Sequence, residues 1–124
     1  GDQDRSNRKS YDTFTVVGPC VVTADEIDDP QSLDMSLTLN GEVRQDANTD
    51  DMVYTCADVV QYASIGATLE VGDVITTGTP EGVSALSDGD TIHAEIEDVG
   101  EMTVDVTERD VRFADVDVKK GGQD

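Results

Sequence analysis

The chain has 124 residues, with 28 Asp and Glu against 8 Lys and Arg, one His, two Cys and no Trp, for a formal net charge of −20. That length suits a single domain over residues 1–124; folded compactly, it would leave about 6,500 Å² exposed and bury roughly two thirds of its extended surface. The acidity excludes unaided binding to nucleic acid or anionic lipid, because phosphate contacts need basic patches, and the short apolar runs exclude a membrane-spanning helix.

Residues 1–8 and 119–124 are polar and read as loose ends. Arg8 to Phe14 then packs cation, hydroxyl and acid together just before the apolar Val16-Val17-Gly18-Pro19. Leu33, Met35, Leu37 and Leu39 alternate with Asp34, Ser36, Thr38 and Asn40, the period of a half-buried strand. Asn40-Gly41 ends it as a hairpin turn, since both residues tolerate the positive φ that a type I′ turn requires. Glu42–Asp46 returns as the partner strand, and Gln45 to Asp50 reads as a polar stretch without an apolar anchor. One helix is predicted over Ala57 to Ala63, with Thr55 and Asp58 at capping-box spacing and Val59, Tyr62 and Ala63 on one face. Gly66 weakens its far end.

Val71-Gly72-Asp73-Val74-Ile75 and Asp88-Gly89-Asp90-Thr91-Ile92 echo each other, each a Gly-Asp turn feeding a strand. After the first of these comes Thr76-Thr77-Gly78-Thr79-Pro80-Glu81-Gly82, where two glycines permit unusual backbone angles and Pro80 fixes its own φ. Its hydroxyls and N–H groups suit an anionic ligand, although such a string is also an ordinary turn. Ile92, Ala94 and Ile96 form the last alternating run, turning through Asp98–Gly100 into Met102, Val104 and Val106. The fold class is therefore mainly β with one or two short helices, a mixed β-sandwich or roll.

His93 points opposite Ile92 and Ala94 and reads as a solvated histidine among acids, which leaves no two-histidine metal motif. Cys20 and Cys56 form no CxxC pair and read as small buried residues. The 20 Asp and 8 Glu are scattered along a chain with Lys only at positions 9, 119 and 120. Scattered acids interleaved with regular Val, Ile and Leu alternation describe a folded protein adapted to high salt, with an ordinary acidic cytoplasmic domain as the alternative.

Lys9-Ser10-Tyr11-Asp12-Thr13-Phe14, Val17-Gly18-Pro19, Asn40-Gly41-Glu42-Val43-Arg44-Gln45, Asn48-Thr49, and the run from Leu69 to Val83 with its Thr-Gly-Thr-Pro-Glu-Gly core occur in that order. Together they resemble the C-terminal part of the fumarylacetoacetate hydrolase family, close to its 2-hydroxyhepta-2,4-diene-1,7-dioate isomerase and acylpyruvate hydrolase branches, over about residues 8–106. The resemblance implies a β-sandwich or roll. It also implies a divalent metal, Mg²⁺ or Mn²⁺, and small 2-oxo or 1,3-dicarbonyl acid substrates that are cleaved at a C–C bond, isomerised or decarboxylated. Lys9 matches the family's active-site lysine and Thr13 a residue of the same cluster. Thr79 matches the threonine that hydrogen-bonds substrate, with Gly78, Asn48 and Thr49 near the pocket. A cytoplasmic homodimer is implied for the complete protein.

The family holds its metal with two glutamates and an aspartate upstream of the lysine, so the chain reads as a half, pocket wall and cation without the metal cage. Asp2 and Asp4 are the stand-in candidates, Asp4 lying five positions before Lys9. A non-catalytic β module, or half of a split enzyme needing an N-terminal partner, is the competing reading. Diffuse Ca²⁺ binding is discouraged because no spacing matches an EF-hand loop.

Overall fold

The structure is a computed structural model that describes residues 9–108. Its frame is a four-stranded antiparallel sheet of β1 (Asp34–Leu39), β2 (Glu42–Asn48), β3 (Thr91–Ile96) and β4 (Gly100–Asp105), in the order β2-β1-β3-β4. A 3-10 turn, Thr49–Asp51, follows β2, and one α-helix, α1 (Cys56–Gly66), lies between β2 and β3. The mainly β class with one helix is as predicted. Residues 1–8, with Asp2 and Asp4, and 119–124 lie outside the described residues.

The alternation seen in the sequence sorts the sheet into two faces. Met35, Leu37 and Leu39 stand beside Ile96, Ala94 and Ile92, and the last two stand beside Met102 and Val104. Ser36, Thr38, His93, Glu95, Glu101 and Thr103 take the opposite face. The turn forms at Asn40-Gly41, both at positive φ (53° and 82°). Asn40 also latches the hairpin tip to β3. Its Nδ2 donates to Asp90 Oδ1 (2.8 Å), and its Oδ1 accepts from the Thr91 N–H (2.9 Å).

β2 carries one irregularity that matters. Thr38 pairs with Val43 but Leu37 with Gln45, so Arg44 is an extra residue, a β-bulge. A two-residue turn counted regularly from the tip would put Gln45 opposite Ser36 on the polar face. The bulge moves it to the apolar face instead. Gln45 to Asn48 is therefore strand and Thr49 to Asp51 a 3-10 turn, which corrects the expectation of an unanchored stretch.

The helix starts as predicted. The Thr55 hydroxyl accepts from the Asp58 N–H (3.1 Å), and Asp58 Oδ2 accepts from the Thr55 N–H (3.0 Å). The Thr55 hydroxyl, then its backbone N–H, holds the Asp58 carboxyl below the usual carboxylate range. The Asn40 amide and the Ser87 N–H do the same for Asp90. Because each folded carboxyl binds its proton less readily than the unfolded one, each favours the folded state above the ordinary carboxylate range. That contribution fades as pH falls through the lowered value.

Three expectations are corrected. First, burial is slight: among the described residues the buried apolar side chains are Leu33 (8 % exposed) and Leu39 (7 %). Half-buried Cys56, Val59 and Ala63 form the inner side of α1, whereas Tyr62 is 79 % exposed, because the helix covers only a narrow stripe. Second, the cysteines are not buried. Cys20 is exposed, with Sγ 3.4 Å from the Val99 carbonyl oxygen, and Cys56 is half-buried. Third, Val74-Ile75 is not a strand. A strand needs a neighbour to complete its ladder, and the sheet runs β2-β1-β3-β4 without it, leaving Val74 72 % exposed.

Candidate functional site

The Thr76-Thr77-Gly78-Thr79-Pro80-Glu81-Gly82 loop is seated on β2 through one buried side chain. Gln45 is 7 % exposed, and the two protons of its Nε2 serve three acceptors: Thr79 Oγ1 (2.9 Å), the Pro80 carbonyl (2.9 Å) and, by a shared proton, the more distant Glu81 carbonyl (3.2 Å). Two of those partners are backbone carbonyls, which only accept, so the amide orientation is fixed by its surroundings. Gly82 (φ +100°) completes the seat. A Cβ there would overlap the Arg44 carbonyl oxygen and lie 2.9 Å from its carbon and 3.2 Å from Gln45 Cγ. The loop thus meets the strand at its bulge, where the extra residue interrupts the ladder. Gly78, at φ +106°, sits in a conformation that side chains rarely take.

The other sequence-predicted residues fall into two groups. Asn48 and Thr49 stand at the end of β2, three and four residues past Gln45, and their side chains are engaged in the fold. Asn48 Oδ1 accepts from the Asp50 N–H (3.0 Å) and its Nδ2 donates to Asp34 (2.7 Å), while Thr49 Oγ1 accepts from the Leu33 N–H (2.9 Å). Gln31 bridges this corner to α1, with Nε2 on the Thr49 carbonyl and Oε1 accepting from the Cys56 N–H (2.9 Å). Lys9 and Thr13 belong to the segment before the sheet. Lys9 is exposed and its carbonyl accepts from the Thr15 hydroxyl (2.8 Å); Tyr11 and Phe14 meet edge to face at 5.4 Å. Thr13 has φ +70°, a strained position for a β-branched residue. Among the described residues no hydrogen bond links Lys9 or Thr13 to Thr79.

An open depression on the described surface lies elsewhere. It is lined by Asp34, Asp46, Glu95, Glu97 and Asp98, among others, a ring of carboxylates that repels an anionic substrate. Nor do the described residues fit the metal implied by the family resemblance. The one converging donor set among them is His93, Glu95 and Glu101, with ligand atoms within 4.8 Å of one another. His93 Nε2 lies 3.6 Å from Glu101 Oε2 and Nδ1 lies 3.0 Å from Thr103 Oγ1. His93 is thus half-buried and partnered rather than simply solvated. This set stands on the polar face of β3 and β4, across the sheet from Gln45 and its loop. A hard cation such as Mg²⁺ needs a near-octahedral oxygen cage, and these three side chains do not make one beside the loop.

Gln45 stands in the Asn40–Gln45 motif, but the sequence gives it no role, because its partners lie 34 to 36 residues away.

Comparison with known proteins gives a consistent answer. The family profile described as fumarylacetoacetate (FAA) hydrolase C-terminal matches residues 2–107. A maleylpyruvate hydrolase of Aquipseudomonas alcaligenes is 53% identical over 104 residues, covering 84% of this chain and 36% of that protein. The crystal structure of maleylpyruvate hydrolase from Sphingobium sp. SYK-6 in complex with manganese (II) ion and pyruvate is 50% identical, with TM-score 0.81, over 85% of this chain and 40% of that one. The 5-carboxymethyl-2-hydroxymuconate delta-isomerase of Mycobacterium smegmatis is 38% identical, with TM-score 0.75, over 80% and 38% of the two chains. The chain therefore spans between a third and two fifths of the length of these three relatives.

Proposed function

The chain belongs to the fumarylacetoacetate hydrolase family, and from that premise we propose that the intact protein acts on small 2-oxo or 1,3-dicarbonyl acids, with acylpyruvate hydrolysis as its reaction. The observation that carries this reading is the loop seat: the buried Gln45 amide holds the Thr79 hydroxyl in place at the edge of the sheet. Identity of 53% to a maleylpyruvate hydrolase favours hydrolysis over isomerisation.

Hydrolysis adds water across the bond between an acyl carbonyl carbon and its neighbouring methylene. The acyl half leaves as a carboxylic acid, and the other half leaves as the enolate of a 2-oxo acid, which takes up a proton at carbon to give the ketone. Negative charge thus develops on the enolate oxygen beside a carboxylate that is already charged. The Lys9 ammonium is assigned to the enolate oxygen, where fixed charge lowers the barrier most. Thr79, presented by the Gly78 turn, and Thr13 orient the substrate oxygens. The strained φ at Thr13 fits such a role. Asn48 and Thr49 shape the corner beside the loop. The divalent ion, Mg²⁺ or Mn²⁺, is assigned to ligands other than the described residues, and the intact protein to a cytoplasmic homodimer.

The test is turnover of maleylpyruvate by the intact protein with Mn²⁺, followed by loss of ultraviolet absorbance and release of pyruvate. Hydrolysis is expected. Absorbance change without pyruvate would replace the hydrolase reading by an isomerase one. Turnover by residues 1–124 alone would place a complete site in this chain. Inertness of that segment beside an active intact protein would favour the second reading, a folded β module that needs groups supplied from elsewhere, which the lack of a metal cage among the described residues supports.

High-salt adaptation belongs to the same proposal. With a net charge of −20, the folded state repels itself, and the Debye length falls from ~10 Å at 0.1 M salt to ~3 Å at 1 M. Thermal melts in KCl are expected to show Tm rising by about 10 °C over that interval. A flat or falling Tm would contradict the adaptation.

A further inference from the structure

We propose that Gln45 is a positioning residue that sets the hydrogen-bonding polarity of Thr79, fixing its hydroxyl as a donor to an anionic substrate oxygen. The proposal rests on the reading above that Thr79 faces substrate. A threonine hydroxyl can donate once and accept twice, and an isolated one rotates freely between those uses. Here Gln45 Nε2 points an N–H at Thr79 Oγ1 from 2.9 Å, so the oxygen is occupied as an acceptor on that side. The hydroxyl proton must then point away from Gln45.

The direction cannot be reversed by an amide flip. Turning Gln45 over would set its carbonyl oxygen against the Pro80 and Glu81 carbonyls, which now accept at 2.9 and 3.2 Å. Buried like-dipole contacts of that kind are strongly unfavourable. The amide at 7 % exposure has little access to water that would scramble the pattern. What leaves the site is one O–H aimed outward, suited to a carboxylate or enolate oxygen, with one of the two acceptor positions already taken by Gln45. The chemical class follows: an acceptor oxygen at this position, with an oxyanion as the strongest partner.

A double-mutant cycle in the intact protein separates this role from simple support of the loop. Gln45→Met keeps the volume and removes the donor, and Thr79→Val removes the hydroxyl. Each is expected to lower kcat for maleylpyruvate by about 10- to 100-fold with KM changed less than about 3-fold, and the double variant to be no worse than Thr79→Val alone within about 3-fold. Thr79→Ser, which keeps the hydroxyl, is expected to recover most of the kcat lost in Thr79→Val and to restore the dependence on Gln45. Additive losses in the cycle would overturn the proposal, because a purely structural Gln45 acts whether or not the hydroxyl is present. Side-chain amide NMR gives a second reading that needs no turnover. The Gln45 Nε2 protons are expected to exchange slowly and to shift in Thr79→Val; unchanged resonances would overturn the proposal. Failure of the wild-type protein to turn over maleylpyruvate would instead count against the functional reading, and the NMR result would then decide the role of Gln45 by itself.

Discussion

Gly82→Ala is expected to unseat the whole Thr-Gly-Thr-Pro-Glu-Gly loop. The new Cβ would occupy the space of the Arg44 carbonyl oxygen and press on Gln45 Cγ, and neither neighbour is the free end of a flexible chain. The φ of +100° adds backbone strain of about 1–3 kcal/mol for any residue with a Cβ. The loop can escape only by moving away from β2, which takes all three acceptors from Gln45 Nε2 and leaves its amide buried without partners. The expected outcome is a lower Tm together with loss of most turnover. Hydrogen exchange would show the loop and β2 opening while the β1–β3 ladder stays protected. Gly78→Ala makes the control, since its Cβ meets nothing within 4 Å and only the backbone term remains. Equal damage from the two substitutions would refute the close-approach argument.

Lys9→Met carries the largest expected effect on chemistry. Methionine keeps much of the stem of lysine and deletes the charge, so the fold, which makes little use of this exposed side chain, is expected to melt within about 1 °C of the wild type, in line with ordinary surface substitutions. If the ammonium stabilises the enolate oxygen, kcat should fall by about 100- to 1,000-fold, the loss typical of one removed oxyanion partner. Lys9→Arg retains charge but not the compact ammonium geometry and should recover part of that loss. Activity of Lys9→Met within a factor of three of the wild type would remove Lys9 from the site.

Much of the frame was legible in the chain itself. The Leu33 to Leu39 alternation, the Asn40-Gly41 turn, the Thr55–Asp58 box and the Ile92 to Ile96 run each encode structure through neighbours two to four residues apart. Local sterics and local hydrogen bonds decide those elements. What escaped reading depends on contacts made across longer stretches. Arg44 gives no sign that it is an extra residue, because a bulge is defined by the strand opposite it. Gln45 looks like any polar strand residue until the loop 34 positions later arrives. Val74-Ile75 has the composition of a strand but pairs with none of the strands among the described residues. Cys20 and Cys56 have the chemistry of core residues, yet burial is decided by what packs on them. The motif residues were recognisable through resemblance, whereas the seating of the Thr79 loop on β2 was not.

The bulge at Arg44 has a consequence for how this hairpin tolerates change. From the tip at Asn40-Gly41, residues along β2 alternate between the two faces as far as the extra residue Arg44, and that bulge shifts the parity so that Gln45 reaches its seat. Exchanging one side chain for another near the tip leaves that parity intact. Lengthening the strand by a single residue between Gly41 and Arg44 inverts it, sending the glutamine to the acid-rich side and leaving the loop without its anchor. In this hairpin residue count is a stricter constraint than residue identity.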